Sequence, residues 1–325
     1  MALKLKAVVR YVLALAVGGG IFYYVFKDVS LAELSEKFAN VKWPWVALGM
    51  SVGLGSHFLR GLRWKMLLSA AGYEVSSFHA FLAVMTGYMA NNAVPRMGEV
   101  VRCTILTRSD KVPLMAGAGT VVVERAVDVL TLALMLAGIA WAESERFFAL
   151  TEEFSGGASP GPWAAAAAAA AVLAAGLGYF FRDRLLSFGP AAKVWNALAS
   201  LLRAVMDVRK LKSPVLFVAL SAAIWFGYVV MTWCVVAAFP PTAARGLYFA
   251  AILTGMGGVG MVLPAPGGGL GPFHAAVYYT FLMLGLDGDD GKALALLLHT
   301  PQLVSNTLIG LAAGYALYRA GATNA

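Results

Sequence analysis

The chain has 325 residues, of which 60% are hydrophobic and 13% are charged. A soluble domain carries roughly a quarter charged residues and lacks repeated apolar runs of about 20 residues, so this composition excludes a soluble enzyme and indicates a polytopic membrane protein. The two cysteines, Cys103 and Cys234, exclude a disulfide-stapled secreted fold and a thiolate metal site. The net charge of +8 is spread over separate inter-helix segments, so nucleic acid is not expected as a partner.

About six apolar runs are long enough to cross the ~30 Å hydrocarbon core as helices. They cover residues 7–26, 43–59, 113–141, 163–181, 214–239 and 293–318. The sequence therefore predicts a single all-α integral membrane domain over residues 1–325. The first run lacks a clear small-residue cleavage site after it, so we expect an uncleaved span and no signal peptide.

Two further apolar stretches, at about 78–106 and 247–286, are broken near their middle by proline and glycine. The breaks contain Pro95 and Gly98 in the first stretch and Pro264, Pro266, Gly267, Gly268, Gly269 and Gly271 in the second. Each stretch is predicted to be re-entrant or a pair of short helices, which gives six spans with two hairpins or eight spans with one hairpin. Backbone left unpaired at such breaks must be buried in protein or line a water-filled cavity.

Charge distribution predicts the orientation, because cationic loops stay cytoplasmic. The basic segments are the N-terminus, 60–77, 95–111, 182–212 and the C-terminus, whereas the loop near residues 286–292 is acidic. We therefore expect both termini on the cytoplasmic side of a bacterial or archaeal inner membrane, and the two broken stretches entering from opposite faces. That arrangement is typical of inverted repeats with a site near the midplane. Residues 185–211 predict a cytoplasmic interfacial helix, or alternatively a solvated connector.

Ionisable and amide side chains gather at the first break and at the start of the next span. Such groups at membrane depth cost roughly 2.5 to 3.5 kcal/mol each, and those that are kept are usually functional. The candidate substrate-binding residues are Asn91, Asn92, Arg96, Glu99, Arg102, Glu124, Arg125, Asp128 and, after the second break, His274.

These residue types predict a phosphate or carboxylate site. Pro95 can open a helix whose first N–H groups face the break, and the guanidinium of Arg96 can bind phosphate oxygens in pairs. Asn91 and Asn92 can orient the ligand. The structural alternative is that Glu99 and Glu124 form interior ion pairs with neighbouring arginines at the cytoplasmic rim.

The glycines of the second break allow positive φ angles and close approach of the backbone to a ligand, or alternatively form a hinge or a tight packing site. His274 is a possible pH-sensitive donor, and His299 in the last span could face the same cavity. The segment matches neither a P-loop nor a dinucleotide fingerprint. No arrangement of catalytic side chains is apparent, so we expect no enzymatic activity, no cofactor and no metal.

Three motifs together resemble a known group: Asn92 to Arg102 around the first break, Glu124-Arg125-Ala126-Val127-Asp128, and Leu263 to Gly271. The sequence resembles the flippase-like membrane family that includes the transmembrane half of lysylphosphatidylglycerol synthases, over nearly the whole chain. The resemblance implies movement of lipids between leaflets, with phospholipids, polyprenyl phosphates or hopanoid-type lipids as partners. The family commonly carries a glutamate shortly after these glycines, where this chain has His274. We expect no aminoacyl-transferase domain after the last span, so the resemblance does not imply lysyl transfer.

The sequence thus predicts a translocase for an anionic or phosphate-bearing lipid, with a polar cavity near the midplane. The alternative is a lipid-binding subunit that moves no lipid itself and presents it to a lipid-synthesising or lipid-modifying enzyme. A membrane-embedded lipid-modifying enzyme is the third possibility and the least favoured.

Overall fold

The computed structural model describes residues 2–144, 206, 208–263 and 265–323, and all regular structure within these ranges is helical. The long and short helices are α1 (Ala2–Phe26), α2 (Leu31–Ala39), α3 (Trp43–Ala70), α4 (Ser77–Ala93), α5 (Gly98–Ser109), α6 (Leu114–Ala142), α7 (Pro214–Ala238), α8 (Leu247–Val262), α9 (Pro272–Met283) and α10 (Gly288–Thr323). Short turns lie at Val208–Lys210, Pro240–Thr242 and Pro266–Gly269. The predicted span 163–181 and almost all of the interfacial helix 185–211 lie outside the described residues.

Several helices begin where the sequence supplies a start signal. Pro44, Pro214 and Pro272 occupy the first turn of α3, α7 and α9, where the N–H that proline lacks would have no partner within the helix. At the start of α4, the Ser76 hydroxyl accepts a hydrogen bond from the His79 amide at 3.0 Å. These local signals fix the ends of the elements that surround both breaks.

The first broken stretch is an antiparallel helical hairpin, formed by α4 and α5 and named hairpin 1. At its base, His79 Nδ1 lies 2.9 Å from Asp110 Oδ1. Near its tip, a Cβ added at Gly87 would lie 3.0 Å from the Gly98 carbonyl oxygen, so two glycines let the helices touch. The 12 residues of α5 extend only about 18 Å, less than the roughly 30 Å hydrocarbon core.

The second broken stretch is also an antiparallel hairpin, formed by α8 and α9 and named hairpin 2. The rings of Phe249 and Phe281 pack near its base with centroids 5.6 Å apart. Near the tip, a Cβ added at Gly260 would lie 2.6 Å from the Pro272 carbonyl oxygen. Both broken stretches therefore turn back on themselves, and in each the break forms the tip.

The two hairpins lie end to end along α10 with their tips facing each other. Going along α10, Gly291 packs on Phe281 at the base of hairpin 2, and His299 Nε2 lies 3.3 Å from the Gly268 carbonyl oxygen at its tip. Thr307 then accepts a hydrogen bond from Asn92 at the tip of hairpin 1, at 2.9 Å. Gly321 finally packs beside Arg108 at the base of hairpin 1, so the two hairpins point in opposite directions.

Helix α1 covers both tips from another side. The Tyr11 hydroxyl lies 3.4 Å from the Ala93 carbonyl oxygen at the end of α4. Farther along α1, a Cβ added at Gly18 would lie 3.0 Å from the Leu270 carbonyl oxygen in the second break. Helix α1 therefore supplies protein contacts to the backbone at both tips, although Val94 and Met97 at the first tip and Leu263 at the second remain exposed.

The order of a long helix, a hairpin and another long helix occurs twice, as α3 to α6 and as α7 to α10. Helices α3 and α7 pack antiparallel: Gly49 lies against Met231, and the Arg60 Nε donates to the Tyr228 hydroxyl at 3.2 Å. Arg63 Nη1 farther along α3 donates to Ser221 Oγ at 3.1 Å. As these contacts advance from Gly49 to Arg63 along α3, they go back from Met231 to Ser221 along α7.

By length and apolar composition, two helices in the described part of the chain can each cross a membrane, namely Pro214–Ala238 and Gly288–Ala322. A third is possible if Tyr11–Phe26 and Leu31–Ala39, which meet at a bend of 78°, form one span. Helix α3 bears Arg60, Arg63 and Lys65, which lower its mean hydropathy. An all-helical membrane architecture is therefore supported, and the count of six full spans stays a prediction.

The packing of hairpin 1 on α10 can be tested at a glycine. A Cβ at Gly310 would overlap Met89 Cβ and lie 2.5 Å from the Met85 carbonyl oxygen, so Gly310→Ala is expected to destabilise the protein by about 1–3 kcal/mol. At Gly119 on α6 a Cβ meets no described atom within 4 Å, and Gly119→Ala is expected to be neutral or stabilising by up to about 1 kcal/mol. Thermal unfolding of both purified variants in detergent measures the difference, and equal transition temperatures would contradict this packing.

Candidate functional site

The carboxylate of Glu124 on α6 is fully buried and binds arginines from three helices. Arg60 Nη1 of α3 lies 2.8 Å from Glu124 Oε1, and Arg102 Nη1 of α5 lies 3.1 Å from Oε2. Arg125 Nη2, from α6 itself, lies 2.8 Å from Oε1. An unpaired carboxylate in such a place costs several kcal/mol, so these arginines are what permits its burial.

Asp128, one turn farther along α6, joins the same arginines. Its oxygens lie 2.6 Å from Arg60 Nη1, 2.7 Å from Arg63 Nη2 and 3.5 Å from Arg125 Nη2. Since Arg63 also donates to Ser221, the network connects α3, α5, α6 and α7. Its six members, named the arginine cluster below, are Arg60, Arg63, Arg102, Glu124, Arg125 and Asp128.

The arginine cluster holds more positive than negative charge. Its four guanidinium groups face two carboxylates, an excess of two positive charges among the described residues. Glu99 reduces the excess to one if it is counted, because its carboxylate lies 4.0 Å from Arg125 Nε. The side chain of Glu99 is 35% exposed, so water screens this pair more than the buried ones. A buried excess of this kind favours an anion.

Four buried N–H donors of the arginine cluster have no hydrogen-bond acceptor among the described residues: the Nε of Arg63, the Nε and Nη2 of Arg102 and the Nε of Arg125. The Nε and Nη2 of one guanidinium form its side edge, where two N–H bonds run parallel and match two oxygens of a carboxylate or phosphate. Arg102 uses its Nη1 for Glu124, which leaves this edge open. The ring of Trp64 lies 4.6 Å from Arg102 Cζ and holds the guanidinium plane in place.

A small cavity of about 30 Å³ is lined by Arg102 and Arg125, which carry three of these donors. By the usual 10–15 Å³ per water it has room for two to three water-sized groups, which is about what the free oxygens of one phosphate need. The side chains and glycines that line it come from hairpin 1 and its neighbours on α3 and α6: Arg60, Val84, Gly87, Tyr88, Asn91, Gly98, Glu99, Arg102 and Arg125. The cavity therefore lies inside hairpin 1, near its tip.

Most of the residues predicted from the first break and the following span are brought together here. Asn91, Glu99, Arg102 and Arg125 line the cavity. Glu124 and Asp128 hold the arginines in place. Asn91 additionally accepts a 2.6 Å hydrogen bond from the Gly98 amide and so caps the first turn of α5.

Arg96 lies elsewhere than the sequence predicts. Helix α5 begins at Gly98 and not directly after Pro95, because Arg96 has a φ of 65° and forms part of the turn. Its side chain is exposed at the tip of hairpin 1 and does not line the cavity. The predicted approach of Arg96 to the ligand at the start of a helix is therefore not what the backbone forms.

Asn92 and His274 also lie outside the cavity. Asn92 Nδ2 donates to Thr307 on α10, and its Oδ1 faces Gly268 of the other hairpin. His274 is fully buried at the start of α9, with its ring centroid 4.9 Å from that of His299. Asn92 therefore belongs to the contact between the two tips, whereas His274 packs against α10.

The second break has the backbone that its glycines predict. Gly267, Gly268, Gly269 and Gly271 have φ angles of 64°, 65°, 103° and 92°, which a residue with a Cβ rarely adopts. The close neighbours of these glycines are other parts of the protein, such as the carbonyl oxygen of Gly18 beside Gly271. Pro266 is buried, and Pro264 lies outside the described residues. Tight packing is therefore the geometry observed at this break.

Arg60, Arg63 and Tyr88 were not predicted as site residues from the sequence. The predicted span ends at residue 59 and leaves both arginines in a cytoplasmic loop, whereas α3 continues to Ala70 and buries both side chains. The signal was present, since Ser56, Arg60 and Arg63 follow the i, i+4, i+7 spacing of one helical face. Tyr88 lies between Arg60 and His57, with its ring 4.3 Å from that of His57.

Comparison with known proteins identifies the family. A family model described as the lysylphosphatidylglycerol synthase transmembrane region matches residues 11–310, so the chain belongs to this family and the resemblance is confirmed. A similar protein is UPF0104 membrane protein MJ1595 of Methanocaldococcus jannaschii, which is 28% identical over 103 residues. That match covers 31% of this chain and 31% of the relative, so it spans less than a third of the relative's length. No solved structure matches the chain.

The central place of Glu124 gives a stability prediction. Glu124→Gln removes the charge that three arginines share and leaves them in a buried site, so we expect the free energy of unfolding to fall by about 3–5 kcal/mol. Glu36→Gln on the exposed face of α2 makes the same chemical change outside the cluster and is expected to stay within ~0.5 kcal/mol of the wild type. Thermal unfolding in detergent compares the two variants. Similar stability of both would show that Glu124 does not hold the cluster together.

Proposed function

We propose that this membrane protein is a lipid translocase that moves an anionic, phosphate-bearing lipid between leaflets. The headgroup would bind in the cavity of hairpin 1 while the lipid tails remain in the bilayer. The observation on which this proposal depends is the open donor edge of Arg102, which is buried beside an excess of positive charge on a residue that lines a cavity. Buried donors of this kind are costly unless a ligand or water satisfies them.

The surroundings of the cavity fit a ligand that enters from the lipid side. Arg125 and Glu99 stand at its rim, with 44% and 35% of their side chains exposed. Val100 on α5 and Val122 and Val129 on α6 are each half-exposed and apolar. A headgroup that passes between α5 and α6 could therefore reach the arginines while its tails lie along these valines.

The opposed hairpins support an inverted repeat with alternating access. Two units of helix, hairpin and helix point in opposite directions, and their tips meet midway along α10. The base of hairpin 1 lies near Arg108 and Lys111, whereas the base of hairpin 2 adjoins Asp287, Asp289 and Asp290. This asymmetry favours a cytoplasmic location for the base of hairpin 1 and for the C-terminus beside it.

Movement would come from rocking of one unit against the other, which has to exchange the contact of Asn92 with α10 and to shift α3 against α7. The chain would act without chemical conversion of the lipid. Among the described residues, no group of three or more His, Cys, Asp or Glu side chains could hold a metal ion. The energy source would be a lipid gradient or an ion gradient.

A transport assay tests the proposal directly. The assay uses proteoliposomes with headgroup-labelled phosphatidylglycerol, phosphatidic acid or polyprenyl phosphate, and we expect the wild type to move at least one of these lipids. In Arg125→Gln the rate of movement is expected to be lower by about tenfold or more, because one charge-assisted hydrogen bond is worth about 1.5–3 kcal/mol. Arg96→Gln makes the same change at the exposed tip and is expected to retain the rate.

Two results would contradict this proposal. If both arginine variants lost movement equally, the cavity would not be the headgroup site. If the wild type bound these lipids and moved none of them, the protein would instead be a lipid-binding partner of another enzyme. Product formation from the added lipid, detected by mass spectrometry, would indicate catalysis.

The role of the tips is tested at two glycines with the same backbone. Gly268 and Gly285 have φ angles of 65° and 67°, so alanine at either position is strained by about 1 kcal/mol. A Cβ at Gly268 would lie 2.6 Å from Asn92 Oδ1, whereas at Gly285 it meets no described atom within 4 Å. We expect Gly268→Ala to slow lipid movement with binding intact and Gly285→Ala to leave it unchanged. Equal rates for both would argue against movement at the tips.

A further inference from the structure

Four donors of the arginine cluster lack a partner among the described residues; three of them belong to Arg102 and Arg125, which line the cavity, and the fourth, Arg63 Nε, belongs to a residue that does not line it. The side edge of Arg102 offers two parallel N–H groups, and Arg125 Nε offers a third beside the same cavity. A phosphate monoester has three unsubstituted oxygens, whereas a diester such as phosphatidylglycerol has two. A monoester can place a separate free oxygen on each of the three donors, whereas in a diester one free oxygen has to accept two of these hydrogen bonds.

The net charge of the arginine cluster also favours a phosphate monoester over a diester. Four guanidinium groups stand against Glu124 and Asp128, with Glu99 at the exposed rim. A phosphate monoester carries −1.5 to −2 charges near pH 7, because its second pKa is about 6, whereas a diester carries one. The buried excess of one to two positive charges therefore matches the monoester more closely.

The small volume of the cavity also favours a phosphate monoester. About 30 Å³ accommodates free phosphate oxygens but little more, and a diester must also place a substituted oxygen and the group beyond it. In a monoester lipid, the one substituted oxygen leads outward to the tails through the rim at Glu99 and Arg125. No large headgroup has to pass into hairpin 1.

We propose that the cavity of hairpin 1 selects a phosphate monoester at the end of a lipid, the chemical class of phosphatidic acid and of polyprenyl phosphates, over phosphodiester lipids. This inference rests on the proposed function and specifies its substrate class. Arg102 binds two of the terminal oxygens with its side edge, and Arg125 binds the third. Trp64 and Glu124 act as positioning residues for Arg102.

The test compares phosphatidic acid with phosphatidylmethanol of the same acyl chains, which differ by one methyl group on the phosphate. Binding to the purified wild type in nanodiscs is expected to favour phosphatidic acid by about tenfold or more, the effect of one charge-assisted hydrogen bond. Arg102→Lys keeps the charge beside Glu124 and removes the paired edge, so the preference should fall to about threefold or less. Arg96→Lys makes the same change at the exposed tip and should keep the full preference.

A second variant separates the effect of charge from that of folding. Glu99→Gln removes a negative charge at the rim and is expected to strengthen the binding of phosphatidic acid by severalfold, with phosphatidylmethanol changing less.

Competition by inorganic phosphate identifies the source of the ligand. Displacement of the lipid at equal concentration would assign the site to the free ion as well, whereas no displacement would show that the lipid tails contribute to binding.

Equal affinity for the two lipids, or a preference that survives in Arg102→Lys, would overturn the monoester assignment. If the monoester assignment fails in this way, movement of phosphatidylglycerol in the transport assay would still support the translocase proposal. Failure of the wild type to bind either lipid would overturn the monoester assignment too, and the translocase proposal would then be decided by the other lipids in that assay.

Discussion

The burial of one carboxylate governs the arrangement of the first half of this protein. Glu124 is fully buried, and it can remain ionised there only because α3, α5 and α6 each bring an arginine to it. Removal of Glu124 leaves buried arginines with an uncompensated charge, which costs more than the loss of a surface ion pair. The position of hairpin 1 is therefore tied to the two helices that flank it. The same constraint aligns the guanidinium of Arg102, so the donors that face the cavity are fixed before a ligand arrives.

A second constraint comes from the broken backbone at the hairpin tips. A membrane interior offers no water to unpaired N–H and C=O groups, so each tip must find partners within the protein. Asn91 serves the first turn of α5, and His299 faces the Gly268 carbonyl oxygen of the other hairpin. Each of these bonds lies within one unit, so a motion of one unit against the other preserves them. The hydrogen bonds of Asn92 to Thr307 and to the Leu303 carbonyl oxygen join hairpin 1 to α10, and such a motion has to exchange them.

The sequence predicted the parts of this arrangement that local chemistry determines. Proline and glycine at 94–98 and 263–271 indicated both breaks, and the charged residues of α6 indicated a buried polar site. The placement of Arg60 and Arg63 depends on how far α3 continues, which the basic character of the segment obscured. Once those arginines are buried, the segment 60–77 retains only Lys65 opposite Glu74, so the cytoplasmic assignment of the base of hairpin 1 rests on 95–111. The contacts of Asn92 and His274 are tertiary, and no spacing along the chain encodes them.

The two hairpins are similar in shape and different in chemistry. The first has arginines and a cavity at its tip, whereas the second has four glycines with positive φ and a fully buried histidine packed against Phe22, Phe26 and His299. Two halves with the same helix order would be expected to share a ligand equally only if both supplied charged donors to it. Here one half supplies them. In a rocking mechanism, the first half would hold the headgroup, and the glycine-rich tip of the second would form the surface against which that half moves.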